Sequence, residues 1–262
     1  MDDQQLNMDA SPSPMKADTI VAIHQPNYLP WLGFFDKANK ADVLILLDNV
    51  QYPKRSWSNR VHIKCPAGSA WLTVPVKVKG RYHQLIAEAE INYQDNWVGK
   101  HLATLERTYR ALPFYEETMG PIKALLEQRP GHLSALNEAM IRSLCESLEI
   151  DTEVISGSDL DVSGASTELL IGLTKAVGGS TYLSGEGGRL YQENQLYEAA
   201  DVALRFQDFQ HPEYEQPFQP FLTGLSIFDV LCCTGLAQTR HMLRYSEERF
   251  VAQSAETRPL SV

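Results

Sequence analysis

From residue 19 onward the chain alternates short apolar runs with longer amphipathic stretches. Thr19 to Ile23 and Val43 to Leu47 have strand length and no solvent-facing alternation, so they are predicted as buried strands. Between them Leu32, Phe35, Ala38 and Asn39 recur at helical spacing, with the charges Asp36, Lys37 and Lys40 expected to point outward. A strand, a corner, a helix and a second strand make a β-α-β unit, which favours a parallel sheet.

The texture then changes. "RVHIKC", "AWLTVPVKV" and "LIAEAEI" read as β-rich segments separated by Pro66, Gly68 and Gly80. "NWVGKHLATLERTYRAL" and "LSALNEAMIRSLCESL" follow as helices, the second carrying Leu133, Leu136, Met140, Ile141, Leu144 and Leu148 on one face. "TEVI" reads as a strand. Ser166 to Val177 reads as a helix with Ser166 as N-cap, Glu168 in the first turn and Gly178-Gly179 at the end. "TYLSG" and "VALRF" resume the strand rhythm, and "LSIFDVLCCTG" and "AQTRHML" are predicted as short closing helices. The fold class expected is α/β: a three-layer, Rossmann-like core with a mostly parallel sheet, a β-rich insertion near 52–92 after the second strand, and a helical segment. Residues 1–18 are expected to be a disordered tail, 19–245 a single domain and 246–262 a polar tail.

Composition narrows the function classes. The chain has 262 residues, 44% hydrophobic and 21% charged, as an ordinary globular domain does. Its net charge of −10 argues against a general nucleic-acid footprint. The apolar runs are too short to span a bilayer. The acidic, polar start has no signal-peptide core, so a cytoplasmic setting with reduced thiols is expected for Cys65, Cys145, Cys232 and Cys233. The seven histidines show no zinc spacing, so no metal is expected.

Four stretches carry candidate chemistry. The corner His24 to Leu29 lies at the carboxyl end of the first strand, where open parallel sheets bind ligands. His24 there can act as acid or base near neutral pH, while Gln25, Asn27, Tyr28 and Trp31 can orient a polar ligand; stiffening of the turn by Pro26 and Pro30 is the structural alternative. The second stretch, Asp48 to Lys64, places Asp48 at a strand end and gathers Lys54, Arg55, Arg60 and Lys64 on an otherwise acidic chain. Arg60 with Asn59 suits a phosphate or carboxylate, and Trp57 could stack on a ring or cap the core.

The third stretch is the turn Ser184, Gly185, Gly187, Gly188 and Tyr191, whose glycines let backbone approach a ligand, although a tight turn explains two of them equally well. Fourth, His211, Tyr214, Gln216, Ser226 and Asp229 cluster late in the chain. Ser226 reads first as a helix N-cap, with Asp229 completing a capping-box-like pair, and Asp229 could also serve the site. Cys232 and Cys233 read as buried and inert.

Taken together, "IHQPNYLPWLGFFDK", "DVLILLDNVQ", "SWSNRVHIK", "WLTVPV", "YLSGEGGRLY", "HPEYEQ" and "LSIFDVL" resemble, in order, the motifs of the WbqC-like family over roughly residues 20–243. Members occur in bacterial surface-glycan and specialised-metabolite clusters. The resemblance implies glycine (aminoacyl) transfer that forms an amide on an amino sugar or another amine-bearing small molecule. No catalytic residues come with it.

The resulting expectation is a transferase in which His24 deprotonates the acceptor amine and Asp48 or Asp229 orients it. Asn59 and Arg60 would hold a phosphate or carboxylate. No cofactor is required; the donor is a thioester on CoA or on an acyl or peptidyl carrier protein, with a charged tRNA left open though disfavoured by the acidic charge. Two alternatives stand beside it: an ATP-dependent adenylating ligase, and a non-catalytic module that delivers a biosynthetic intermediate. No membrane partner is expected.

Overall fold

The computed structural model of the chain describes residues 18–190 and 192–256; the expected tail over 1–17 and residues 257–262 lie outside them. Five strands form one parallel sheet: β1 (Ile20–His24), β2 (Val43–Leu46), β5 (Glu153–Ser156), β6 (Thr181–Ser184) and β7 (Ala203–Phe206). Their spatial order is β5-β2-β1-β6-β7. Counted along the chain within this sheet, that order is 3-2-1-4-5, the Rossmann arrangement, in which the chain reverses direction of growth between β1 and β6. His24 pairs with Leu46 and Ala22 with Leu183, so the strands end together at one edge.

Both faces of the sheet are covered. Ala22, Leu44 and Leu46 pack with α1 (Leu32–Asn39), α4 (Leu133–Ser147) and α7 (Ile227–Glu256). Val21, Ile23, Val43 and Ile45 face the other way onto α5 (Ser166–Ala176) and onto Tyr197 of α6 (Asn194–Ala199). The pleat sends alternate residues to opposite layers, which is why both runs are apolar throughout.

A third cluster joins the β-hairpin β3 (Arg60–Cys65) and β4 (Gly68–Thr73) to α2 (Trp97–Tyr109) and α3 (Tyr115–Glu127). The insertion is less regular than its composition suggests. "LIAEAEI" is no strand: Leu85 and Ile91 make single bridges to Gln51 and Val76, and backbone from this segment ties to loops instead. Helix α3 has its apolar residues at three-four spacing, but Gly120 and Pro121 in mid-run read as a helix break, and the helix runs through them. A proline inside a helix removes one hydrogen bond, and burial of Tyr115, Met119, Ile122 and Leu126 outweighs that loss.

Other expectations need correction. Asp36, Lys37 and Lys40 do not face solvent; all three are buried. Lys40 Nζ sits 2.8 Å from Asp36 Oδ2, and Lys37 Nζ donates to the Ile23 carbonyl at 2.9 Å. The N-cap of α5 falls on Ala165, one residue before Ser166, with no side-chain cap bond. The end of α5 is as expected: Gly178 (φ 67°) and Gly179 return hydrogen bonds to Lys175 and Thr174, the paired pattern that closes a helix at a glycine.

The first closing helix is short, as expected, but the second is not. Together they form α7 with a break at Gly235 (φ 75°, ψ 171°), and its second half continues to Glu256 through the stretch read as a polar tail. That half packs back on α1: Lys40 donates to Ser246 Oγ, Asn39 to Glu247 Oε2, and the Phe250 ring lies under the Lys40 ammonium at 5.4 Å.

Candidate functional site at the sheet switch point

A cavity of about 300 Å³ opens at the carboxyl ends of β1 and β6, where the sheet reverses its order. His24 from β1, Trp31 and Gly33 from the start of α1, Lys37 from its last turn, Gly185 and Gly187 after β6, and Gln207 after β7 line it. Its size matches the lower range of small-ligand sites. Another hollow, between Ile122, Met140 and Leu231, holds only about 50 Å³ and is walled mostly by apolar groups, so it reads as imperfect packing between α3, α4 and α7.

His24 has one well-defined partner. Its Nδ1 lies 2.9 Å from the Gln25 carbonyl, which can only accept, so Nδ1 carries the proton and Nε2 keeps its lone pair. Burial, and then the Lys37 charge, lower its pKa to about 3 against the opposing pull of that carbonyl, and the imidazole is neutral at physiological pH. Phe34 meets the ring edge-on at 5.0 Å. Neither Asp48 nor Asp229 hydrogen-bonds it; a backbone carbonyl does the orienting expected of a carboxylate.

Lys37 is among the cavity residues that sequence reasoning missed, with Gly33, Phe34 and Gln207. Burial lowers the Lys37 ammonium to about 7. Among the described residues, its hydrogen bond to the Ile23 carbonyl is its one protein contact of that kind. Trp31 forms the outer wall, stacked on His211 at 6.4 Å and meeting Phe209 edge-on at 5.4 Å. A Cβ on Gly33 would collide with the Trp31 ring, so glycine is what lets the indole lie flat on α1. Gly188 is close behind: its missing side chain leaves room for the Ser184 hydroxyl. Burial lowers the His211 pKa, opposed by its bond to the Pro212 carbonyl.

The remaining candidates have structural partners elsewhere. Asp48 accepts from the Ser158 N–H and hydroxyl, both at 2.8 Å, and so fixes the 3-10 turn after β5. Tyr28 is fully buried with its hydroxyl 3.0 Å from His101 Nδ1, a core contact rather than a cavity wall, and Asn27 is buried beside it. Asn59 donates to the Val74 carbonyl at 3.0 Å, clamping the hairpin. Lys64, read as part of a solvated cluster, is buried with Nζ on the Pro220 carbonyl. Gln216 closes its own loop through the Leu222 amide and carbonyl. Tyr191 lies outside the described residues.

Ser226 does cap α7. Its hydroxyl accepts from Phe228 N at 3.2 Å and donates to the Leu29 carbonyl at 3.0 Å. Asp229 does not complete the box; its carboxylate accepts from Tyr109 at 2.9 Å and Tyr214 at 2.8 Å. Burial raises its pKa against the lowering pull of both hydroxyls and of Lys64. Burial likewise raises the thiols of Cys232 and Cys233, the latter to about 12, so neither is a ready thiolate.

Arg60 and Trp57 belong to a different surface. The Arg60 guanidinium lies 4.0 Å over Trp71, which also meets His62 at 3.6 Å and Trp57 at 5.3 Å. Trp57 and Trp71 remain 48% and 41% exposed. Lys54 instead sits over the Tyr82 ring at 5.0 Å. Thus the chain presents a switch-point cavity, a buried Asp229 network and an aromatic-arginine patch on the hairpin. Among the described residues no cluster of three or more His, Cys, Asp or Glu side chains could hold a metal, and no helix is long and apolar enough to cross a membrane.

Fold and site define an α/β protein of Rossmann strand order with a polar cavity at its switch point. The chain belongs to the WbqC-like protein family, whose model matches residues 25–241. It is 35% identical over 232 residues to a Mycobacterium tuberculosis protein described as "Uncharacterized protein Rv1507c", a match covering 87% of this chain and 99% of the other. The family match begins one residue after His24 and covers the rest of that corner, the hairpin and α7 as far as His241.

Proposed function

We propose that this chain is an amide-forming acyl or aminoacyl (glycine-type) transferase that acts on an amine-bearing small molecule or amino sugar, with His24 as general base. The observation that supports this reading is the neutral His24 ring at the switch-point cavity, its Nδ1 held by the Gln25 carbonyl and its basic nitrogen unprotonated. In the reaction the amine nitrogen bonds to the acyl carbon, the carbon–sulfur bond of a thioester donor breaks, and the amine proton passes to His24 Nε2 and on to the departing thiolate. An imidazole of such low basicity is always in its acceptor form but drives proton transfer weakly. It therefore suits the acidic proton of an amine that has already attacked. Carrier-protein and CoA thioesters are the donors to try first, in a cytoplasmic biosynthetic setting.

Turnover of His24→Ala and His24→Gln against wild type, over a panel of aminoacyl thioesters and amines, tests this. A general base contributes about 10²–10⁴-fold, so loss on that scale is expected, and activity within about threefold of wild type removes His24 from the chemistry.

The strand order favours a second reading. Rossmann-type sheets hold nucleotides at the same switch point, so ATP-dependent ligation would use this cavity too. Release of AMP or ADP that depends on both acid and amine would support ligation over transfer. Tight ligand binding with neither turnover nor nucleotide release would support a delivery module.

A further inference from the structure

The acid beside Lys37 in the chain is already committed. Asp36, its neighbour in the chain, is bonded by Lys40 at 2.8 Å and by Gln207 Nε2 at 2.6 Å. No carboxylate lies within ion-pair distance of Lys37 among the described residues, and its one hydrogen bond goes to a neutral carbonyl. An ammonium has three donors, so two are left over on a group that is only 2% exposed and borders the cavity. Leaving a buried cation without a counter-ion costs several kcal/mol, a penalty that folds carry chiefly at binding sites.

The other charged and titratable groups around Lys37 settle what could complete it. His24, facing it from β1, is neutral. Gln207 from beyond β7 is uncharged, and the Asp36–Lys40 pair on α1 cancels itself. The acids of the cavity, Glu186 and Asp208, are both exposed and therefore stand at its rim, with Glu186 bonded to Arg189 at 2.6 Å. The cavity is thus cationic at its inner end and acidic at its mouth. A singly charged anion passes such a rim at less electrostatic cost than a phosphate dianion does.

We infer that Lys37 is the counter-ion for a carboxylate of the ligand bound in the switch-point cavity. The inference rests on the cavity used in the functional proposal but not on acyl transfer. A chain that binds a carboxylate at Lys37 and turns over no donor keeps this site and loses that reaction.

A carboxylate that pairs with Lys37 must stabilise its charged form, so binding and protonation are linked. The test is an NMR titration of full-length protein labelled at lysine Cε, with Lys37 assigned by the loss of its resonance in Lys37→Arg. Acetate and inorganic phosphate serve as probes at constant ionic strength. The free protein should show a Lys37 midpoint near neutral pH, and acetate should raise it by about one unit, a tenfold linkage. Phosphate should raise it less. A midpoint unmoved by acetate, a larger shift with phosphate, or an ordinary exposed-lysine midpoint in the free protein would each overturn the assignment. Lys37→Met should in addition lose acetate-induced thermal stabilisation; the wild-type titration decides the matter if that variant does not fold.

Discussion

The Tyr109 hydroxyl bridges the Lys64 amide, from which it accepts at 2.9 Å, and the Asp229 carboxylate, to which it donates at 2.9 Å. One phenol thereby ties strand β3, helix α2 and the first turn of α7 together inside the protein. A second, Tyr214, takes the other carboxylate oxygen. Removing the acid strands two hydroxyls, one of them deeply buried. Asp229→Ala is expected to destabilise the fold by about 3 kcal/mol and Tyr109→Phe by about 1–2 kcal/mol, since each buried orphan costs about 1–3 kcal/mol. Urea unfolding monitored by circular dichroism measures both. A loss below the scatter of surface variants for Asp229→Ala would mean the network is solvated.

The Asp36–Lys40 pair has no solvent on either side chain. Breaking it from one end should cost more than removing it whole. Lys40→Met leaves a buried carboxylate with only Gln207, and a loss of about 3–5 kcal/mol is expected. The double variant Asp36→Asn with Lys40→Met should recover part of that loss, and a thermodynamic cycle over the four proteins gives the coupling.

Stability should fall as acid is added below the ordinary histidine range, with His24 contributing to the slope. Its folded pKa lies at about 3 against 6.5 for the free side chain. Between those values the unfolded chain binds a proton that the folded chain refuses, so stability present above pH 6.5 is lost as pH falls toward 3. His24→Gln abolishes this contribution, and the stability difference between wild type and variant should narrow with falling pH by up to about 1.4 kcal/mol per unit. His101, lowered to about 4 chiefly by burial, keeps a slope of the same sign in both proteins. Parallel curves for the two would show that His24 is exposed.

Gly33→Ala probes the cavity wall. The added methyl meets the Trp31 indole, which must leave its place against His211 and Phe209. A changed tryptophan emission and weaker acetate stabilisation are expected, with overpacking costing about 1–3 kcal/mol. An unchanged spectrum would mean that Trp31 already samples other positions.

On the hairpin, Arg60→Ala removes a guanidinium stacked on an exposed tryptophan. Such a contact contributes about 0.5–1 kcal/mol, so thermal stability should change little. If donor or acceptor binding nonetheless falls severalfold, the patch joins the site; unchanged binding confines the site to the switch-point cavity.

Much of the frame was determined by sequence alone. Val43 to Leu46 is apolar at every position because both sheet faces are covered, and the glycine pair after Ala176 ends α5 through local backbone geometry. His24 at a strand's carboxyl end is likewise a local fact, and a parallel sheet turns it into a cavity residue. Tertiary structure decided what local pattern cannot encode. Asp36 and Lys40 sit on a helix face that periodicity assigns to solvent, and they are buried where Gln207, Ser246 and Phe250, some 170 to 210 residues away in sequence, meet them. Asp48 and Asp229 are both acids at element ends, but their roles were set by Ser158, Tyr109 and Tyr214, which only the folded chain brings near. Backbone preference and side-chain period act over a few residues and leave their mark in order along the chain. Charge pairing and burial act through space, and the partner that settles them is known only when the layers have closed.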